Sequence, residues 1–564
     1  MHKITIFSLA AMGALLLSSC SKFGPLSSDN VTVTPTPLEA VGFEVPATIN
    51  ATFPQKYMKK QATVTVIPVL KYEGGETTAT ATTFQGEKVQ GNGTTVSYKA
   101  GGNYTIRATF PYSDEMQKSD LYLRFDARMG DKAVKLPDVK VGYGVVSTGG
   151  LLRQTISTTH PAQAADAYQR IIRQKQEAQI KYLVNQANIR ASEINSTSVK
   201  DFVTILKEIN DNQETLRLQN IEVSAYASPE GRYDFNEKLA EKRQDTSTDY
   251  VSQQLKKNKM KTDVDTKFTA EDWDGFQQLV STSTIQDKDV ILRVLSMYQD
   301  PAERERQIRN MSVVYDELAK GVLPELRRAR LIANYDVIGR SDEQILQQYQ
   351  DEPSELNVEE LLYGANLQTN EQLRKQWYEK ITKIYPQDER AFNNLAKIAY
   401  QNGDINTATT YLKKAKSLNP NSPEVAANEA LLALANGDID KAEMSLAKGT
   451  TADTYTEILG NLNMAKGNYA AAESNLSGVY TNSAALAQIM NKDYAAATTT
   501  LANISNADAY TSYLRAILAA RQNDANQVVS NLQEAIRLNP NLAARAAKDL
   551  EFAKYAAQIA GLVK

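Results

Sequence analysis

Two stretches near the C-terminal end of this chain spell nearly the same phrase. YQNGDINTATTYLKKAKSLNP, Tyr400 to Pro420, is echoed by LANGDIDKAEMSL, Leu434 to Leu446, with Gly403/Gly437, Ala408/Ala442 and Leu412/Leu446 all 34 residues apart. A period of that length is one helical hairpin, and a hairpin cannot bury its apolar face alone, so successive copies must stack. Degenerate copies follow at GNYAAAESNL, at KDYAAATTTL after a shorter gap, and at QNDANQVVSNLQEAIRLNP, where Pro540 takes the place of Pro420. Small Ala and Gly residues fall where the two helices of a hairpin approach closely. Residues 351–564 are therefore predicted to form an α-solenoid with a concave groove.

The first copy resembles the tetratricopeptide repeat. Phe392, Leu395, Ala396, Ala399, Gly403, Ala408, Leu412, Ala415 and Pro420 fall at the packing positions of that motif. The resemblance implies an array that docks a protein partner in its groove.

The opposite end reads as an address. MHKITIFSLAAMGALLLSSC places Lys3 before an apolar run from Ile4 to Leu17, too short for a membrane span and shaped like a secretory signal. The run closes on Leu17-Ser18-Ser19-Cys20, which resembles a bacterial lipobox. That implies removal of residues 1–19 and diacylation of Cys20, so that acyl chains alone hold the protein to the membrane at about 0.8 kcal/mol per buried CH₂. Cys20 is the only cysteine, so no intramolecular disulfide is possible. Residues 20–37, rich in Ser, Thr and Pro, read as an extended tether. They lack the early acidic cluster that resembles a surface-export signal in some Gram-negative lipoproteins, which favours the periplasmic side of the outer membrane over the cell surface.

A length of 564 residues predicts three or four domains. With 63 basic and 66 acidic residues, no whole-molecule field points to nucleic acid. Two histidines, His2 in the signal and His160 beside Pro161, exclude a His-rich metal site and leave any Ser/His/Asp triad dependent on His160. Carboxylate pairs such as those in EDWD, Glu271 to Asp274, read as solvated face rather than acid–base machinery. No catalytic residue, metal or cofactor is expected, and the chain is read as a non-enzyme.

Residues 38–150 alternate Val, Thr, Ile and Tyr with polar residues between GG, GNG and MGD turns, which predicts an antiparallel β-sandwich. VGYGVVSTGG, Val141 to Gly150, lacks phosphate-loop spacing and reads as a last strand followed by a flexible exit. Residues 161–340 alternate helices and strands. AQAADAYQRIIRQKQEAQ reads as a polar helix and IKYLVNQANIR as a strand. SVKDFVTILKEINDN reads as an amphipathic helix with Val199, Phe202, Ile205, Leu206 and Ile209 on one face. LRLQNIEVSAYA follows as a strand with Leu218, Ile221 and Val223 among its apolar positions, then a helix starts near Asp234, whose carboxylate and Glu237 suit a cap. The order predicts an α/β sandwich.

Ile221 to Val251, IEVSAYASPEGRYDFNEKLAEKRQDTSTDYV, resembles the OmpA-like peptidoglycan-binding domain, whose motif runs strand, Gly-His-Thr-Asp, a glycine-ended turn, then Asn-x-x-Leu-Ser-x-x-Arg on a helix. Leu326 to Ile332, LRRARLI, is similar to that domain's closing strand, and Tyr-Ala-Ser-Pro-Glu-Gly with EDWDGF resembles OmpA-like lipoproteins and pilus-linked envelope proteins of the Bacteroidota. In the family, a strand-end aspartate takes the ammonium of diaminopimelate and the helix arginine its carboxylate, a bidentate fit. Ser228 stands at the aspartate position, a neutral hydroxyl for a charge, while Gly231, Asn236, Leu239 and Arg243 match the turn and helix positions. Asn236 and Arg243 share a helical face, with Phe235 and Leu239 packing inward. The resemblance implies peptidoglycan contact through Arg243 and Asn236, with Ser228, Glu230, Arg327 and Arg328 around it; Glu230 either replaces the missing aspartate or pairs with Arg243 and closes the site.

Two functions follow as expectations. One is an outer-membrane lipoprotein that tethers or scaffolds an envelope assembly, touching peptidoglycan through the OmpA-like domain and protein partners through the repeat groove. The other is a purely protein-binding assembly factor of secretion, pilus or outer-membrane insertion machinery, its OmpA-like domain ligand-free.

Overall fold

Alternation of apolar and polar residues builds the N-terminal sheets. A computed structural model describes Phe23 and residues 26–563. The Glu44–Phe53 and Gly102–Pro111 strands pair antiparallel and bury every second residue, Val45, Ala47, Ile49, Ala51 and Phe53 on one and Tyr104, Ile106, Ala108 and Phe110 on the other. A larger sheet, centred on Ala62–Tyr72 and Ser119–Met129, shares their core through Val64, Val66, Leu70, Leu121 and Leu123. Two face-packed sheets agree with the predicted sandwich, although short end strands, Leu38–Glu39 and Thr94–Val96, pair parallel to their neighbours.

The tether ends sooner than expected. Val31–Thr34 is a strand, paired antiparallel with Glu44–Phe53, and Phe23 is 4% exposed within the sandwich core. Val–Thr alternation next to an open sheet edge outweighs the neighbouring prolines. The expected signal and lipidated Cys20 lie outside the described residues.

The chain divides into two compact units, residues 166–367 and the rest. The boundaries thus differ from the serial blocks expected: sandwich and helical array fall in one unit, and the α/β unit is an insertion. Loop residues of the sandwich meet the turns of the array. Gly42 (φ +55°) lies where a Cβ would collide with the Ala465 backbone, and Val41 packs on Gly467.

The array pairs the helices Glu389–Gln401 with Ile405–Leu418, Pro423–Ala435 with Ile439–Leu446, Tyr455–Ala465 with Tyr469–Asn475, Asn482–Met490 with Tyr494–Asn503, and Ala509–Arg521 with Ala525–Leu538. Each intra-pair turn needs one left-handed residue, filled by Gly403, Gly437, Gly467, Lys492 and Asn523 in order. Leu395, Ala396, Ala399, Ala408, Leu412 and Ala415 are buried as the repeat positions predict, and Phe392 packs on the same core.

In the inserted unit, four strands lie in the order Ile171–Lys181, Arg328–Ile338, Leu216–Tyr226, Asp263–Thr269. The last two run parallel and the other neighbours antiparallel. Val199, Phe202, Leu206 and Ile209 of the Thr197–Asp211 helix are buried, and Ile205 half so. Three local expectations fail. The polar segment read as a helix has no regular structure from 162 to 169 and then forms the edge strand Ile171–Lys181, because pairing along Arg328–Ile338 satisfies its backbone where its own propensity would have coiled it. Tyr182 to Arg190, read as strand, is a loop. The Tyr233–Lys257 helix is entered at Arg232, so Asp234 is already inside it and makes no cap, and Phe235 is 50% exposed while Leu239 points inward. Between the last two strands in sequence, five helices from Trp273 to Leu326 enclose a small core of their own, including Phe276, Ile291, Leu295, Ile308 and Leu318.

Candidate functional site

The Leu216–Tyr226 strand ends in a tight turn. Pro229 and Gly231, the latter at φ +96°, fold the chain back so that the Glu230 N–H meets the Ser228 carbonyl at 2.7 Å. The Tyr233–Lys257 helix then brings Asn236 and Arg243 beneath that turn, buried to 3% and 1% exposure. Asn236 Nδ2 donates to the carbonyls of Ser228 (3.3 Å) and Glu230 (3.1 Å), which fixes the turn rather than presenting an amide.

Arg243 sits in a cage of backbone oxygens. Its Nε donates to Gln186 O at 3.0 Å, Nη1 to Tyr226 O at 2.9 Å and Nη2 to Leu183 O at 3.1 Å, with the guanidinium over the Tyr182 ring. Burial pushes its pKa down to about 10, so it keeps its charge at neutral pH. The expectation that Arg243 grips a ligand carboxylate is corrected. Its donors already tie the 183–186 loop to the end of the strand, and almost none of its surface is reachable.

The neighbouring charges are paired as well. Glu230 accepts from Arg327 Nη2 at 2.7 Å and Nε at 3.0 Å and from the Ser228 hydroxyl at 2.9 Å. Glu230 thus turns away from the role of a free ammonium acceptor, and its partner is Arg327 rather than Arg243. Arg328, next along the chain, lies over the Tyr226 ring and donates to Asp272 Oδ2 at 2.9 Å. Asp272 also caps the Trp273–Thr282 helix through the Gly275 N–H, and burial raises its carboxyl pKa against the pull of Arg328. Five of the six candidate residues (Ser228, Glu230, Asn236, Arg243 and Arg327) therefore converge, and Arg328 serves a separate pair. Beside them opens a cleft of about 740 Å³ whose walls include Arg232, Glu271, Asp300, Glu305, Arg306 and Arg309. Motif matching missed Glu305, which takes the Gly231 N–H at 2.8 Å and Arg309 at 2.6 Å, because it belongs to the helical insertion.

A second constellation lies on the first helices of the array. Asn394 and Asn428 stand 34 residues apart, one repeat. Asn428 accepts the Ala162 N–H at 2.7 Å and donates to the Ala162 carbonyl at 2.8 Å; Asn394 does the same to Ala164, at 2.9 Å each. Asn393 adds a bond to the Ala162 carbonyl at 3.1 Å, and Lys397 reaches Gln163 Oε1 at 3.0 Å. Further back, Glu457 accepts the His160 N–H at 3.1 Å and faces its Nδ1 at 3.0 Å, Tyr400 donates to the Ile156 carbonyl at 2.9 Å, and Ser483 meets Thr155 at 3.3 Å. The exit read as flexible, after Val146, is instead buried at Thr148 to Leu152, Thr155 and Ile156. The first helices of the pairs thus hold residues 155–164 of the same chain.

Residues 389–422 match the tetratricopeptide-repeat family model. The C-terminal helices are a tetratricopeptide-repeat array. No curated protein matches the chain. Among solved structures, a tetratricopeptide repeat protein from Parabacteroides merdae is 17% identical, covering 44% of this chain and 97% of its own, at a TM-score of 0.28. Pseudomonas aeruginosa pilF is 16% identical over 38% of this chain and 95% of its own, at 0.26, and yeast Tom70 is 12% identical over 64% and 83%, at 0.24. Such distant likenesses carry nothing about function. Repeats of this family are surfaces for protein contact, which makes this chain a protein-interaction scaffold.

Proposed function

We propose that the protein is a non-enzymatic envelope scaffold, lipid-anchored at Cys20 on the periplasmic side of the outer membrane, whose central unit is an OmpA-like fold with its wall-binding site closed. The observation that carries this reading is Arg243, 1% exposed with its guanidinium bonded to three carbonyls. A ligand carboxylate would have to reach a guanidinium that is 1% exposed, and each carbonyl it displaced and left buried without a partner would cost about 1–3 kcal/mol. The Glu230–Arg327 pair supports the same reading, since opening it strands two partly buried charges. Among the two expected functions, the protein-binding assembly factor is thus preferred over the peptidoglycan tether.

Co-sedimentation with purified sacculi tests it. The wild-type chain should stay in the supernatant. Pelleting that a folded Arg327→Ala or Asn236→Ala variant abolishes would restore the tether. The anchor is tested separately: metabolic labelling with a fatty acid should mark the wild type and not Cys20→Ala.

A further inference from the structure

The array already holds a peptide. An extended chain turns the N–H and carbonyl of alternate residues toward the same side, and a carboxamide carries one donor and one acceptor at matching spacing. Asn428 and Asn394 exploit both facts, reading the two backbone groups of Ala162 and of Ala164, two residues further on. The side chains at these positions are methyl groups, 0% and 3% exposed, so the clamp leaves little room for anything larger there. His160, a further two residues back, is met by Glu457 of the third pair. From His160 onward the contacts step backward through the array, from Glu457 to Asn428 to Asn394, while Ser483 of the fourth pair and Tyr400 of the first both hold the segment just before it, at Thr155 and Ile156.

We infer that residues 155–165 are a built-in ligand of the repeat array, and that the array takes in trans an extended peptide with small side chains at the two alternate positions that Asn428 and Asn394 clamp, once this strap is displaced. The strap is covalently attached at both ends, so its effective concentration greatly exceeds that of a free competitor. The apparent affinity for such a peptide is then lowered by the fraction of molecules whose strap is out. This inference rests on the array as a protein-binding surface and on neither the anchor nor the closed wall site, so its failure leaves those untouched.

The probe is a fluorescent peptide of residues 155–166, TISTTHPAQAAD, titrated against the full chain. The double variant Ala162→Pro with Ala164→Pro removes both N–H donors and places a ring where a methyl group is buried. It should bind the peptide at least about tenfold more tightly than the wild type. Adding Asn394→Ala and Asn428→Ala to that variant should abolish the gain. A folded strap variant that binds no better than wild type overturns the inference, as does equal binding when both asparagines are gone. If the proline variant does not fold, hydrogen exchange decides. In the wild type, the Ala162 and Ala164 amides should be protected, and at least about tenfold less so in Asn394→Ala with Asn428→Ala while the sheet amides are unchanged. Exchange of both amides at the free-peptide rate in the wild type refutes it.

Discussion

Replacing Arg243 by alanine distinguishes a structural guanidinium from a ligand-binding one. The substitution removes three charge-assisted bonds, to Gln186, Tyr226 and Leu183, and the contact over Tyr182, leaving carbonyls that face the void of a large side chain. Hydrogen bonds to charged groups contribute about 1.5–3 kcal/mol each. Water entering the void recovers part of that, so the expected loss is about 3–5 kcal/mol, the range for breaking a buried charged network. For a unit of this size, 1 kcal/mol moves the midpoint by about 2–4 °C, so the transition of the inserted unit should fall by about 6–20 °C. Scanning calorimetry of the full chain reads it, the transition being assigned by its shift in Phe202→Ala, a core change in the same unit. Arg243→Lys should recover only part of the loss, since one ammonium on a flexible stem cannot reproduce a planar fork. A surface arginine kept for a ligand would cost within about 0.5 kcal/mol. A shift of less than about 2 °C in Arg243→Ala would therefore refute the carbonyl cage.

Gly42→Ala should destabilise the larger unit by about 2–5 kcal/mol, because the collision of its Cβ with the Ala465 backbone adds to the strain of its φ of +55°; Gly74→Ala, at φ +92° but in open space, should cost only about 1–2 kcal/mol in thermal unfolding. Lys492→Gly should stabilise by about 1 kcal/mol, since a lysine there bears the left-handed turn that glycine fills in the first three pairs; an unchanged midpoint would contradict the turn geometry. His160 should titrate above its ordinary pKa of 6.5, because Glu457 bonds its ring, against the opposing effects of burial and Lys397. The pair then stabilises the fold fully below 6.5 and loses that contribution as pH rises through the raised value. With the His160 ring 59% exposed the effect on stability is small, so NMR titration of the ring is the measurement, and Glu457→Gln should lower the midpoint.

How much of this was legible beforehand differs element by element. Leu412 and Leu446 or Gly403 and Gly437 announce their hairpins because neighbouring repeats supply most of each one's contacts, so a local period carries the packing. The face of Val199, Phe202, Leu206 and Ile209 was readable for a similar reason, a helix recording its buried side at fixed spacing. Ile171–Lys181 was not, since a polar edge strand has one buried face over only part of its length and owes its form to Arg328–Ile338, over 140 residues away in sequence.

The six candidate wall-site residues show the same division at finer grain. Sequence placed Asn236 and Arg243 on one helical face and Gly231 in the turn, and the structure agrees. It offered no means of knowing that Gln186, Leu183 and Tyr226 would turn their carbonyls onto Arg243, or that Glu230 would choose Arg327. Such partners are selected by loop paths, which have no period. Sequence alone thus determined the repeat array, the sheet-forming N-terminal region and the cluster around Ser228. Tertiary structure alone decided that Arg243, Asn236, Glu230 and Arg327 bond within the fold and that residues 155–164 lie along the first helices of the array, because a hydrogen-bond partner is settled by proximity across distant segments and most buried polar groups find one there.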